Sequence, residues 1–111
     1  MRILNFIIDG QIIKQDPNCD FDNLVPGTEG YLLASFTFSK EWVGHAKVAT
    51  FWSIMGREYP PQLLTDGKTC VIPAEALKRR VFKVQVIGKD PCTGTRLMTN
   101  KVAVSQNGGK A

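Results

Sequence analysis

The stretch FTFSKEWVGHAKVATFW, Phe36 to Trp52, decides how this chain is read. It alternates from Phe36 to Phe38, breaks at a polar knot around Trp42-Val43-Gly44, and resumes in a segment ending at Phe51-Trp52. Two readings compete: an aromatic binding surface, or the crossing between two buried strands. Phe36 and Phe38 are two positions apart, and a strand sends such residues to one face. With Leu32 and Ala34 they form an apolar face over Tyr31 to Ser39, opposed by Tyr31, Leu33, Ser35 and Thr37. Trp42 falls in the turn, where a large ring plugs the end of a core. Gly44 frees the backbone there. Ala46 to Ile54 reads as the next strand, carrying Val48, Trp52 and Ile54. The stretch is therefore assigned to structure, with its aromatics in the core.

The same alternation extends in both directions. Arg2 to Ile8 sets Leu4, Phe6 and Ile8 on one face. Asp9-Gly10 followed by Gln11 to Lys14 predicts an N-terminal hairpin over residues 1–15. Residues 15 to 29, rich in Asp, Asn, Pro and Gly, read as a loop. Gln62-Leu63-Leu64 and Thr69 to Ile72 flank Asp66-Gly67, a second hairpin candidate. Tyr59-Pro60-Pro61 belongs to an edge or a rigid protruding loop. Pro73 to Lys78 is the one helical stretch, with Pro suited to the first helical position. Val81 to Gly88 alternates most cleanly, Phe82, Val84 and Val86 inward and Lys83 and Gln85 outward. Arg96 to Val104 closes the fold, Val102 and Val104 inward and Lys101 outward. Residues 107–111 read as a frayed tail. The prediction is all-β: an antiparallel immunoglobulin-like β-sandwich of about seven to nine strands with one short helical turn, in a single domain over 1–106. Its structural core includes Phe36, Phe38, Trp42, Phe82, Val84 and Val86.

Bulk properties narrow the function classes. A chain of 111 residues with 43% hydrophobic content builds a core without disulfide or metal. Cys19, Cys70 and Cys92 are odd in number and widely spaced, which reads as free thiols. No apolar run is long enough to span a membrane. Asn5, Asp9 and Gln11 interrupt the first apolar segment too early for a signal-peptide core, so the expectation is a protein kept soluble inside a cell. Net charge is +4, with one cluster at Lys78-Arg79-Arg80 and Lys83. Lys83 lies on a strand whose other face is apolar, so the cluster reads as a solvated outer face rather than a nucleic-acid surface.

Chemistry is sparsely marked. His45 is the sole histidine, and neither a nucleophile nor an orienting acid is marked beside it. Gly88-Lys89-Asp90-Pro91 lacks the spacing of a phosphate loop. Asp16, Asp20 and Asp22 resemble the start of a calcium loop, but the glycine and distant glutamate are missing, and a polar loop is the default. No catalytic, cofactor-binding or metal-ligating residue is assigned, and no cofactor is expected.

The series YLLASFTFSKEW.G..K...FW, then CVIPAEAL, then F.VQVIG, then TN.V.V resembles a small domain family of phages of Gram-positive hosts. Its members are virion structural proteins of head-fibre, head-decoration or upper-baseplate type. The matching positions run from Phe36, Phe38, Trp42, Gly44, Lys47 and Phe51, through Val71, Pro73 and Leu77, to Phe82, Val84, Val86, Gly88, Thr99 and Asn100. The resemblance spans about residues 30–106 and leaves the N-terminal hairpin outside. Family domains often open a longer fibre-like protein, whereas this sequence stops at Ala111, which favours a stand-alone accessory piece.

The resemblance implies a non-enzymatic virion protein that decorates the capsid by binding other virion proteins, with assembly in the host cytoplasm. A tail baseplate or fibre-attachment role is the nearest alternative. The expected partners are the major capsid protein or baseplate proteins, or further copies of the chain, with neither nucleic acid nor membrane. Partner-binding candidates are Ile7, Ile12 and Ile13 on the hairpin, with Tyr59 and Pro60 in the rigid loop. The competing assignment of the isoleucines is to cover one end of the sandwich. A rival class is a carbohydrate- or receptor-binding module using Tyr31, Trp52 and Tyr59, which requires at least two of them on one exposed face.

Overall fold

The structure, a computed structural model, describes residues 1–64 and 66–106. The expected tail at 107–111 lies outside the described residues. Nine strands form two sheets. They are β1 (Arg2–Asp9), β2 (Ile12–Gln15), β3 (Leu32–Phe38), β4 (Ala46–Ser53), β5 (Gln62–Leu63), β6 (Thr69–Val71), β7 (Val81–Lys89), β8 (Arg96–Met98) and β9 (Val102–Ser105). Sheet A runs β2-β1-β3-β6, and sheet B runs β5-β4-β7 with β8 and β9 both on the far side of β7. The helical turn is α1 (Ala74–Leu77), and a 3-10 turn covers Lys40–Trp42.

The alternation read from sequence sets the core of sheet A. Leu4, Phe6 and Ile8 of β1 and Leu32, Ala34 and Phe36 of β3 are all buried. Phe6 and Phe36 stack with ring centroids 5.4 Å apart. The N-terminal hairpin is thus part of the sandwich, with β1 a central strand. Its turn sits one residue later than the Asp9-Gly10 signal suggests. Asp9 still pairs with Ile12, so Gly10 and Gln11 form the two-residue loop, and Gly10 takes the positive φ of 59° that the tight turn needs.

One pairing departs from an all-antiparallel sandwich. β1 and β3 are parallel from Arg2↔Leu32 to Ile8↔Phe38. Parallel neighbours cannot be joined by a tight turn. The chain instead returns along β2 and through loop 16–31 before entering β3. That loop also covers the edge of β1 where β2 is absent: Asn5 accepts from Asp16 N–H at 3.0 Å, and its own N–H points at the Cys19 thiol at 3.3 Å.

In sheet B the core face of β4 is Ala49, Phe51 and Ser53, which corrects the expectation that the aromatics of the stretch all lie in the core: Trp52 does not. The register gives the reason. Ala49, Phe51 and Ser53 sit opposite Val86, Val84 and Phe82, and cross-strand partners share a face. Val48 and Trp52 therefore point outward, and Ile54 lies beyond the strand, exposed.

Two further expectations are corrected. Asp66-Gly67 does not join a hairpin, because β5 pairs with β4 in sheet B and β6 with β3 in sheet A. The turn carries the chain from one sheet to the other. The single closing strand is broken at Thr99-Asn100. Thr99 still meets β7, accepting from Val86 N–H at 3.0 Å through its hydroxyl. Asn100 turns to the hairpin instead: its Oδ1 accepts from Ile13 N–H at 2.8 Å and its N–H donates to the Gln11 carbonyl at 3.1 Å. This pair closes the seam between the sheets.

The Asp66 turn makes stability depend on acid. Its carboxylate accepts from the Lys68 N–H, the Thr69 N–H and the Thr69 hydroxyl, which hold its pKa down from 3.8 to about 2. A carboxyl with a depressed folded pKa contributes stability above its unfolded value and loses it as pH falls through the folded one. The urea midpoint should therefore drop between about pH 4 and about pH 2. Asp66→Ala should flatten that limb, and an unchanged slope would show that the carboxylate does not hold the turn.

Candidate docking surface

Trp42 fixes the sandwich end around which the outer faces are arranged. The 3-10 turn Lys40–Trp42 buries the indole completely, against Phe38 at 5.3 Å and His45 at 6.3 Å between ring centroids. Its Nε1–H donates to the Gly10 carbonyl at 2.7 Å, while the Gly10 N–H donates to the Ser39 hydroxyl at 2.9 Å. The tip of the hairpin is thereby tied to the β3–β4 crossing. A Cβ on Gly88 would lie 2.7 Å from the ring, so β7 needs glycine where the indole crosses it. Gly44, at φ 83°, takes the left-handed conformation expected of it.

The partner-binding candidates separate. Ile7 and Ile12 reach the outer face of sheet A, Ile7 half-buried beside Thr37 and Lys14, Ile12 exposed opposite Asp9. Ile13 is buried and belongs to the core, which corrects its assignment as a contact residue: β2 alternates, so Ile12 and Ile13 cannot share a face. Tyr59 is likewise buried. Glu58 bridges Trp52 on the outside, the next residue faces inward, and Tyr59 N–H donates to the Phe51 carbonyl at 2.9 Å. Pro60 is exposed, at the margin of sheet B and away from the isoleucines.

The structure assembles a different surface. Ile3, Leu33 and Val71 are cross-strand neighbours and form one row over the outside of sheet A. Ile3 is 50% and Val71 42% exposed, with Leu33 half-buried. Met1 and Tyr31, just ahead of β1 and β3 at the same end of the sheet, are 65% and 51% exposed. The next row, Asn5, Ser35 and Thr69, is polar and separates this patch from Ile7 and Ile12 further along the same face. Exposed apolar clusters of this kind mark contact surfaces more often than scattered single residues do. The signal was in the alternation: with Leu4, Phe6 and Ile8 inward, Ile3 and Ile7 must point out.

The aromatics of the rival reading are dispersed. Tyr31 is exposed just ahead of β3 of sheet A, Trp52 lies on the outer side of sheet B, and Tyr59 in the core. Lys101 covers the Trp52 ring, with its ammonium 3.6 Å from the centroid, a cation–π contact.

The polar loop is committed to the chain itself. Asp16 and Asp20 carboxylates accept from the N–H groups of Asn18 and Asp22. The Arg2 guanidinium takes the carbonyls of Asp20 and Asp22 at 3.0 and 2.6 Å. Among the described residues no group of three or more His, Cys, Asp or Glu is placed to hold a metal ion. Cys19, Cys70 and Cys92 are free, and burial, with Asp66 adding to it, pushes the Cys70 thiol up to about 12. Among the described residues no helix is long and apolar enough to cross a membrane. No family model matches the chain, and neither a curated protein nor a solved structure matches it.

Proposed function

We propose that this chain is a non-enzymatic phage virion accessory protein, assembled in the host cytoplasm, that decorates the capsid by seating sheet A on another virion protein. The observation that carries the docking part is the apolar end of that sheet, where Ile3, Leu33 and Val71 share one outer face and Met1 and Tyr31 are exposed just ahead of β1 and β3. The virion part rests on the resemblance; its motif positions Trp42, Gly88, Thr99 and Asn100 are structural ones in this β-sandwich, at the end plug, beneath it and at the seam. A rigid face presented in many copies needs no moving parts. Each copy gains affinity from apolar burial, roughly 1.5–3 kcal/mol for each large side chain fully covered. The same surface serves a baseplate partner if the attachment point is the tail. A glycan-binding role is disfavoured because the three aromatics do not share a face.

The test is the double variant Ile3→Glu/Val71→Glu. Both side chains are exposed in the free protein, so the thermal midpoint should hold while incorporation into particles falls by about tenfold or more, since a buried contact cannot cheaply accept two carboxylates. Incorporation at the wild-type level would remove sheet A from the account.

A further inference from the structure

The outer face of sheet B carries a second apolar row, and its surroundings are charged. Leu63, Val48, Ile87 and Met98 are successive cross-strand partners, so one line of aliphatic side chains crosses all four strands of that part of the sheet. Leu63 is 61% and Met98 36% exposed, with Val48 and Ile87 half-buried between them. Lys89 and Arg96, partners in the neighbouring row, flank the line on one side. Lys83 and Lys101 flank it on the other, beyond Thr50 and Gln85. Among the described residues the carboxylate paired into this face is Glu58, at the corner beside Trp52.

We propose that this face is a second docking surface, for a protein partner that presents an apolar ridge bordered by carboxylates. Charge complementarity selects that occupant. A second copy of the chain would bring the same four cations against one another, in a molecule whose net charge is already +4. A single-stranded nucleic acid would need open aromatic platforms, whereas the centre of the face is aliphatic and the Trp52 ring is covered by Lys101. Because sheets A and B present opposite sides of the sandwich, a chain seated by sheet A keeps this face outward. The module then bridges two different partners rather than capping one. The inference does not depend on the capsid assignment.

Three interstrand spacings of about 4.8 Å make the row about 14 Å wide, the length of roughly nine or ten helical residues. The probe is therefore a synthetic amphipathic helix with a leucine stripe flanked by glutamates, titrated into the 15N-labelled full chain. Its counterpart with flanking lysines and a single-stranded DNA oligonucleotide serve as comparisons. Amide shifts should centre on residues 46–50, 62–63, 85–89 and 96–98. The dissociation constant should rise about tenfold for Leu63→Glu and for Lys89→Glu/Arg96→Glu, and by at least as much with the lysine-flanked peptide. Leu63 and Met98 are exposed, so Met98→Glu repeats the test should Leu63→Glu lose its dispersed spectrum. Absent shifts, shifts on sheet A, equal binding of the lysine-flanked peptide, tighter binding of the oligonucleotide, or self-association through this face would each overturn the proposal.

Discussion

Trp42→Ala is expected to lower the stability of this protein by about 3–5 kcal/mol in urea unfolding at neutral pH. Such a loss is a large part of what a small domain has. Three contributions combine. The indole is fully buried, so its removal leaves a cavity among Phe38, His45 and Gly88. Its N–H is the partner of the Gly10 carbonyl, so the hairpin tip loses its tie to the β3–β4 crossing. Gly88 is kept free of a side chain mainly for this ring, since its Cβ would lie 2.7 and 2.8 Å from two of the indole carbons and 3.2 Å from the His45 Cβ. Gly88→Ala should by itself cost about 1–3 kcal/mol, and that cost should largely disappear in the Trp42→Ala background. A loss below about 1 kcal/mol for Trp42→Ala, or full additivity of the pair, would show that the ring does not plug the sandwich.

Phe51→Ala and Trp52→Ala give the second contrast. The two aromatics are adjacent, yet only Phe51 lies in the core, packed on Phe82 at 6.3 Å between centroids and opposite Val84. Phe51→Ala is expected to cost about 3–5 kcal/mol. Trp52 faces outward under Lys101, and its loss removes a surface cation–π contact of about 0.5–1 kcal/mol plus partial burial. The larger residue therefore produces the smaller effect, in the same denaturation assay. Equal losses, or the reverse order, would overturn the register of β4 on β7.

That contrast also shows where the sequence was legible. β1, β3 and β7 each carry their aromatic residues on one alternation only, although Ile3, Ile7, Leu33 and Ile87 are large and apolar on the other, so Leu4, Phe6, Phe36, Phe82, Val84 and Val86 could be placed directly. β4 carries them on both: Ala49 and Phe51 on one side, Val48 and Trp52 on the other. Alternation alone cannot choose between those faces. The choice is made by the pairing with β7, which is a long-range fact. The parallel β1–β3 pair is hidden for the same reason, because nothing local in either strand records its partner's direction.

Turn chemistry was read correctly as turns and less well as connections. Gly10 and Gly67 both take positive φ, yet one closes a hairpin and the other carries the chain between sheets. The local geometry is similar; the destination depends on which edge is free. Of the contact candidates, Ile7 and Ile12 were placed on the correct outer side, while Ile13 and Tyr59 were drawn in by alternation and by the β4 edge. The apolar end of sheet A escaped notice because Ile3, Leu33 and Val71 are far apart in sequence and meet only through the register.

The docking account is tested most directly by a cryo-EM reconstruction of the particle that carries this chain. The account predicts symmetric copies over the capsid shell, with Ile3, Leu33 and Val71 against the shell protein and the row from Leu63 to Met98 turned away from it. Density at the tail tip alone would transfer the same surface to the baseplate. A particle without the chain, or copies seated with sheet A in solvent, would contradict the central claim.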